Sequence, residues 1–455
     1  MLKDMTTGTP WRLIVLFGLP LLAGNIFQQA YNLADTIIIG HYLGPNALAG
    51  VGVASPVFNL ISSLLIGLSV GASIMVSQLF GAGRRRELPC AMSTILIISL
   101  AMAVVLTVLG QLLVLPLLHV LQTPADDLPY AEEYLRVIIL GLAFNILYNQ
   151  LSGLLRGLGN SAVPLYFLIF SSILNVILDL LFVAVLPWGV AGAAFATILS
   201  QGVSALLTWI YIRMKVPLFH RQKGDPLFDR KLLSTTVHFG LPMALQQSSI
   251  SLGHLLMQGI INPFGTTVIA AYAAGVKVDM FSVMPLITLG SAASTFAAQN
   301  AGAGNMDRIR YGFRTTNYLA VGIGLCLSVL VVTNREFLMG LFVSTEDYPV
   351  LAPDIIATGM EMMAILPCFY VVLALIHSCL NTMAGAGDTT FSMFAMILMM
   401  ALRIVLAWCF IHLGGMDEHG IWWAFPVSWV IVLAIVLIHY FRGSWKKKAL
   451  AKQRS

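Results

Sequence analysis

Three aspartates stand where a carboxylate is expensive. Asp35, Asp179 and Asp279 each fall well inside a long apolar stretch. A charge at the centre of a bilayer-spanning helix raises its insertion free energy by roughly 2.5–3.5 kcal/mol. Tyr31 precedes Asp35 by four residues and Asn175 precedes Asp179 by four, so within each pair both side chains point from one helix face. Desolvation favours the neutral form of such an acid, and a second carboxyl nearby acts in the same direction. The chemistry this permits is reversible holding of a proton or a small cation. One elementary charge moved across a membrane field gains roughly 2.3 kcal/mol per 100 mV, enough to bias a two-state molecule. The plainer reading has each aspartate neutral and hydrogen-bonded, serving only to pin helices together.

A second polar set lies further along: Gln246, Gln247, His254, Lys277, Asp279 and Arg403. Lys277 and Asp279 are two residues apart and therefore face different sides of a helix. Internal charge pairing with Arg403 is the plainer expectation. A gate or a ligand-facing lining is the sharper one. Glu133 and Glu361 lie nearer span ends and are read as interfacial.

The surroundings of these groups are those of a polytopic membrane protein. Hydrophobic residues make up 58% of the chain, charged residues 10%, and mean hydropathy is +0.87. Soluble domains carry roughly 25% charged residues. Twelve apolar stretches reach spanning length, near 13–39, 48–79, 90–120, 131–155, 162–186, 189–213, 234–262, 266–298, 312–341, 353–380, 389–413 and 418–441. Hydrocarbon offers no partner for an open sheet edge, so the expected fold class is all-α. The first stretch is too long for a cleavable leader. The cysteines show no metal-type spacing and read as small core hydrophobes.

Basic residues orient the chain. Of 25 Lys and Arg, 21 fall in loops on one side, including Arg84–Arg86, Arg156, the cluster from Arg213 to Lys231, and Arg442 onward. By the positive-inside rule both termini are expected in the cytoplasm. The net charge of +5 is then topological bias and does not point to nucleic acid. Arg84–Arg86 and Lys446–Lys448 read as solvated or headgroup-facing charges.

The chain also repeats itself. Phe17-Gly18-Leu19-Pro20 recurs 222 residues later as Phe239-Gly240-Leu241-Pro242. Gly81-Ala82-Gly83 recurs as Gly302-Ala303-Gly304. Gly157-x-Gly159-Asn160 recurs as Gly385-x-Gly387-Asp388, and Gly192-x3-Ala196 as Gly420-x3-Ala424, both 228 residues on. The expected division is an N-terminal lobe (1–213, six spans), a polar cytoplasmic linker (214–233) and a C-terminal lobe (234–455, six spans). An even number of spans per repeat gives parallel repeats about an axis along the membrane normal, which can rock around a central cleft. Small residues such as Gly67-Leu68-Ser69-Val70-Gly71 read as close helix packing. Among the prolines inside spans, Pro20 is the expected hinge, because it shares a helix with Asp35. The acids do not repeat: Asp35 falls near Met257, Asp179 on Ala407 and Asn175 on Arg403.

These features together resemble the multidrug and toxic compound extrusion family, in its prokaryotic DinF-like branch. The resemblance covers the whole chain. It includes Asn32-Leu33-Ala34-Asp35-Thr36, Gln299-Asn300-Ala301-Gly302 and Arg156-Gly157-x-Gly159-Asn160. It implies a two-lobed, V-shaped transporter of the prokaryotic inner membrane, probing the outside by alternating access. Such a protein exports cationic or amphipathic drugs against H+ or Na+. By the same resemblance Tyr31, Asp35, Asn149, Asn175, Asp179 and Thr197 form the coupling site, and Pro20 the bend. No span-seven Glu and no deep span-ten acid stands in the second half, which argues against a Na+ site there.

The alternative is a flippase for lipid-linked oligosaccharides of the same superfamily, which needs a strongly cationic cleft. Lys277 and Arg403 are the available intramembrane cations. An enzyme is not expected, since no nucleophile–base or metal-ligand spacing appears. The expected partners are small organic cations and the lipid bilayer, with no cofactor, no metal beyond a coupling Na+, no nucleic acid and a monomeric state.

Overall fold

The computed structural model describes residues 3–343 and 350–451, with the side chains of Lys447, Lys448, Leu450 and Ala451 left outside the description. The headgroup reading of Lys447 and Lys448 therefore lies outside the described residues. The described chain is helical, with no strand. Its first part comprises α1 (Pro10–Leu43), α2 (Pro45–Gly81), α3 (Leu88–Val120), α4 (Leu128–Leu140), α5 (Leu142–Gly157), α6 (Ala162–Asp179) and α7 (Gly189–Lys215). Its second part comprises α8 (Arg230–Ile261), α9 (Thr266–Gly302), α10 (Met306–Thr333), α11 (Arg335–Gly340), α12 (Ala352–Ile365), α13 (Tyr370–Gly385), α14 (Thr389–His412), α15 (His419–Arg442) and α16 (Ser444–Ala451).

Among the described residues, ten helical segments are long and apolar enough to cross a membrane. The α4–α5 pair makes an eleventh if counted as one span bent by 49°. The twelfth expected span is present as α8, 32 residues long, but it falls short in apolarity. Thr235, Thr236, His238, Gln246, Gln247 and Ser248 dilute it. Two of the expected spans are broken rather than straight. Gly141 separates α4 from α5, where a Cβ would strike the Ile198 side chain at 2.2 Å. A 3-10 turn carrying Pro367 separates α12 from α13.

The chain forms two compact units. The first is Leu19–Ala244 with the residues up to Asp4, and the second is Met5–Gly18 with Leu245 onward. Their limits do not fall at the polar connector. One falls before α1, at Met5, and two fall inside helices: in α1 within Phe17-Gly18-Leu19-Pro20, and in α8 just past Phe239-Gly240-Leu241-Pro242. The proline in each, Pro20 and Pro242, sits within its helix and removes one backbone hydrogen bond there.

In the first unit, Ile39, Leu65, Leu135, Ile138, Leu142 and Ile146 are fully or almost fully buried in one apolar core. The opposite surface is also apolar. Leu100, Val104, Val108 and Leu112 of α3 follow a four-residue spacing and are 51–70% exposed, a stripe suited to acyl chains. Gly67 and Gly71 let α2 meet α8 backbone to backbone. A Cβ at Gly71 would stand 2.2 Å from the Gly240 Cα, and one at Gly67 2.2 Å from the Ala244 Cα.

The duplication is visible in the packing of each unit. A Cβ on Gly157 would meet the Ser73 carbonyl at 2.9 Å, and one on Gly385 would meet the Ser294 carbonyl at 2.2 Å. Asn160 Oδ1 accepts from the Val163 amide at 3.2 Å, and Asp388 Oδ1 accepts from the Phe391 amide at 3.4 Å. Gly159 and Gly387 before them both have positive φ, 77° and 110°, which L side chains rarely adopt.

Gly71→Leu drives two backbones apart and is expected to leave little monodisperse protein. Gly52, on the same helix, meets nothing within 4 Å, so Gly52→Ala is expected to keep or slightly raise the thermal midpoint, Ala being favoured over Gly in helices by about 1 kcal/mol. Size-exclusion chromatography and thermal unfolding in detergent check both. A Gly71→Leu protein with the parent midpoint would contradict this packing.

Candidate functional site

The site in the first unit begins with helix geometry. Tyr31 and Asp35 lie one turn apart on α1, and Asn175 and Asp179 one turn apart on α6. Asp179 is the last residue of α6. The chain continues as a π-helical turn, Leu180–Val185, a rare form that often marks functional positions. Phe182 of that turn stacks on Trp188, ring centroids 4.7 Å apart, and holds the turn against the start of α7.

This arrangement brings Asp35 and Asp179 within electrostatic reach of each other. Asp179 is completely buried. Among the described residues, Asp35 Oδ1 and both Asp179 carboxylate oxygens meet no hydrogen-bond donor, and neither does Asn175 Oδ1. Tyr31 lies beside Asp35. The Asn175 amide donates to Thr197 Oγ1 at 3.4 Å, and Thr197 donates to the Ala193 carbonyl at 3.2 Å. Asn149 donates to the Asn145 carbonyl at 2.9 Å and to Asn145 Oδ1 at 3.1 Å.

Tyr31, Asn149, Asn175 and Thr197 line one cavity of about 100 Å³, and Pro20 lines it too. Asp35 and Asp179 sit beside it rather than on its wall. Sequence reading did not find several other wall residues: Gln28, Asn145, Tyr148, Arg156, Ser200 and Gln201. It also missed Tyr134 of α4, buried and within electrostatic reach of both aspartates. Their polar character inside apolar spans was the available signal for Gln28, Asn145 and Gln201. Tyr134 offered none, since it follows a glutamate read as interfacial. Arg156 was read as a loop cation.

The polar set of the second unit divides. Asp279 Oδ1 accepts from the Tyr370 hydroxyl at 2.8 Å. Arg403 is 5% exposed, with its guanidinium carbon 4.0 Å from the Phe425 ring centroid. Asp279, Tyr272 and His254 all lie within electrostatic reach of Arg403, yet no Asp279–Arg403 ion pair forms among the described residues. Arg403 Nε and Gln246 Oε1 are buried without a hydrogen-bond partner. Lys277 is exposed, and no described hydrogen bond or ion pair joins it, Gln246 or Gln247 to this group. Glu361, expected at a span end, pairs with His419 at 3.2 Å.

Repeat positions expose the divergence. Arg403 and Phe425 occupy the places of Asn175 and Thr197, 228 residues on. The same helix pair is thus joined by a hydrogen bond in the first unit and by a cation–π contact in the second.

Known proteins share this fold and its repeat. A family model described as MatE matches twice, over residues 20–181 and 242–409. A Bacillus subtilis (strain 168) chain named "Probable multidrug resistance protein YoeA" is 28% identical over 453 residues, covering 97% of this chain and 96% of that one. A Shewanella oneidensis (strain MR-1) chain named "FAD transporter" is 26% identical over 369 residues, 80% of each. A solved structure titled "Crystal structure of MATE in the bent conformation" superposes with a TM-score of 0.90 at 25% identity, covering 98% of both chains. With both copies of the family model matched, at the repeat found in the residues themselves, the chain belongs to the MatE family of multi-pass membrane transporters.

Proposed function

We propose that the protein is an inner-membrane antiporter that exports cationic or amphipathic small molecules against H+ or Na+, coupled at Asp35 and Asp179. The observation that carries this reading is the nearness of those two carboxyls, with three of their oxygens lacking donors among the described residues beside a polar cavity. Two carboxylates near each other in a low-dielectric setting cannot both stay ionised cheaply. They take up a proton between them or share a cation. Asn175 Oδ1, also without a donor, adds a fourth oxygen, a set that serves Na+ as well as H+.

Loading the pair removes the repulsion that keeps it open to ligand, and draws α1 and α6 together. Pro20 supplies the bend through which α1 responds. Tyr31, Asn149 and Thr197 orient the pair and the cavity wall. Drug-sized ligands fill roughly 300–1,000 Å³, so the cavity of about 100 Å³ must widen when drug is aboard and narrow when the ion replaces it. Both termini face the cytoplasm in this reading, and one chain suffices for the cycle. Relatives named for multidrug resistance and for FAD transport support transport while differing in cargo.

In proteoliposomes of the purified chain, Asp35→Asn and Asp179→Asn are each expected to lower gradient-driven drug efflux about tenfold or more, a change of about 1.4 kcal/mol or greater. Separate ΔpH and Na+ gradients identify the ion. Undiminished efflux in both variants under either gradient would overturn the assignment. Pro20→Ala is expected to leave equilibrium binding of a labelled drug within twofold while slowing efflux several-fold. A variant that transports at the parent rate would remove the hinge.

A further inference from the structure

The same cavity contains one feature that a cation exporter does not call for. Arg156 lines it, and no carboxylate among the described residues lies within ion-pair distance of its guanidinium. Its one hydrogen bond among them donates from Nη2 to Ser69 Oγ at 3.4 Å, a long contact. Ser69 is itself committed, donating to the Asn149 carbonyl at 2.6 Å. A guanidinium offers five N–H donors in a fixed fork that matches carboxylate and phosphate oxygens. Among the described residues most of that capacity is unused, and the side chain lines the cavity.

The neighbouring wall is polar and carries no opposing carboxylate. Gln201 brings a side-chain amide, while the Tyr148, Ser200 and Ser204 hydroxyls donate to the Pro164, Thr197 and Phe167 carbonyls at 3.2, 2.9 and 3.2 Å and would have to turn to reach an anion. Asn149 and Arg156 are seven residues apart on α5, so they share a helix face about 10 Å apart along the axis. The cation therefore sits two turns from the asparagine placed with the ion-coupling group, far enough to act on a different chemical group. The cavity of about 100 Å³ admits a compact oxyanion with some water, each water taking about 30 Å³.

From this we infer that Arg156 is the anchor of an anion subsite in the first unit, which binds a phosphate or carboxylate group through its guanidinium within this polar wall. The occupant is either the anionic group of a transported compound or the phosphate of a lipid headgroup. Arg156 has no cationic counterpart at its repeat position, which falls on Ala384, so the duplication does not supply a second copy of this anchor. This assignment deepens the transport reading above, because it concerns what the same cavity holds.

The test is binding of inorganic phosphate to the full-length protein purified in a maltoside detergent, read by calorimetry and by the thermal midpoint. The parent protein is expected to bind phosphate, with affinity falling as chloride is raised. Arg156→Gln is expected to lose binding at least tenfold, and Arg156→Lys to retain part of it, since Lys keeps the charge without the fork. Asp35→Asn is expected to leave phosphate binding within twofold, which separates this inference from the coupling mechanism tested by efflux. Displacement of phosphate by added phosphatidylglycerol assigns the subsite to a lipid headgroup. Phosphate binding that is indifferent to that lipid assigns it to a soluble anion. Absence of binding by folded parent protein, or equal binding by the parent and a folded Arg156→Gln or Arg156→Lys, would overturn the inference.

Discussion

A peptide group in hydrocarbon has no water to bond, and every larger feature of this chain follows from that restriction. It forces the described backbone into helices. It also makes each break in a helix a place that needs a local remedy. The breaks found here have identifiable causes: Gly141 between α4 and α5, Pro367 between α12 and α13, the π turn after Asp179, and the internal prolines of α1 and α8. Three of these border the polar groups of the first unit. Irregular backbone is tolerated where it lines a cavity or is covered by protein, and the site occupies one of those places.

Duplication supplied two copies of the scaffold, and the copies have kept different things. Packing has been kept. Gly157 and Gly385 each admit a serine carbonyl, and Asn160 and Asp388 each cap the helix that follows. These contacts depend on the absence of a side chain or on one short acceptor, so few substitutions preserve them. Chemistry has not been kept. Where the first unit has Asn175 against Thr197, the second has Arg403 against Phe425, and where the first has Asp179 the second has Ala407. The buried arginine rests on an aromatic face and the partly buried Asp279 accepts from the Tyr370 hydroxyl, and the two form no direct ion pair among the described residues.

Much of this was legible in the residues. Apolar length marked the spans, and it made the acids within them conspicuous, because both signals arise from large energetic penalties. Four-residue spacing correctly placed Tyr31 with Asp35 and Asn175 with Asp179 on shared faces. What escaped depended on long-range packing. Arg156 looked like a loop cation because its segment is basic and glycine-rich. Only the approach of α2 and α5, through Ser69 and Gly153, turns it into the cavity wall. Tyr134 required the bend at Gly141. The weak apolarity of α8 reflects the polar side chains it carries, which a single averaged index cannot distinguish from a poorer span.

The segment before α1 sets an order of events during synthesis. The Met5 amide donates to Gln299 Oε1 at 2.8 Å, its carbonyl accepts from Asn300 Nδ2 at 3.1 Å, and Arg308 reaches the Thr7 and Gly8 carbonyls. All three partners lie some 300 positions downstream. Met5–Gly8 therefore wait for helices made much later, and these partners do not exist until α9 and the start of α10 have been synthesised.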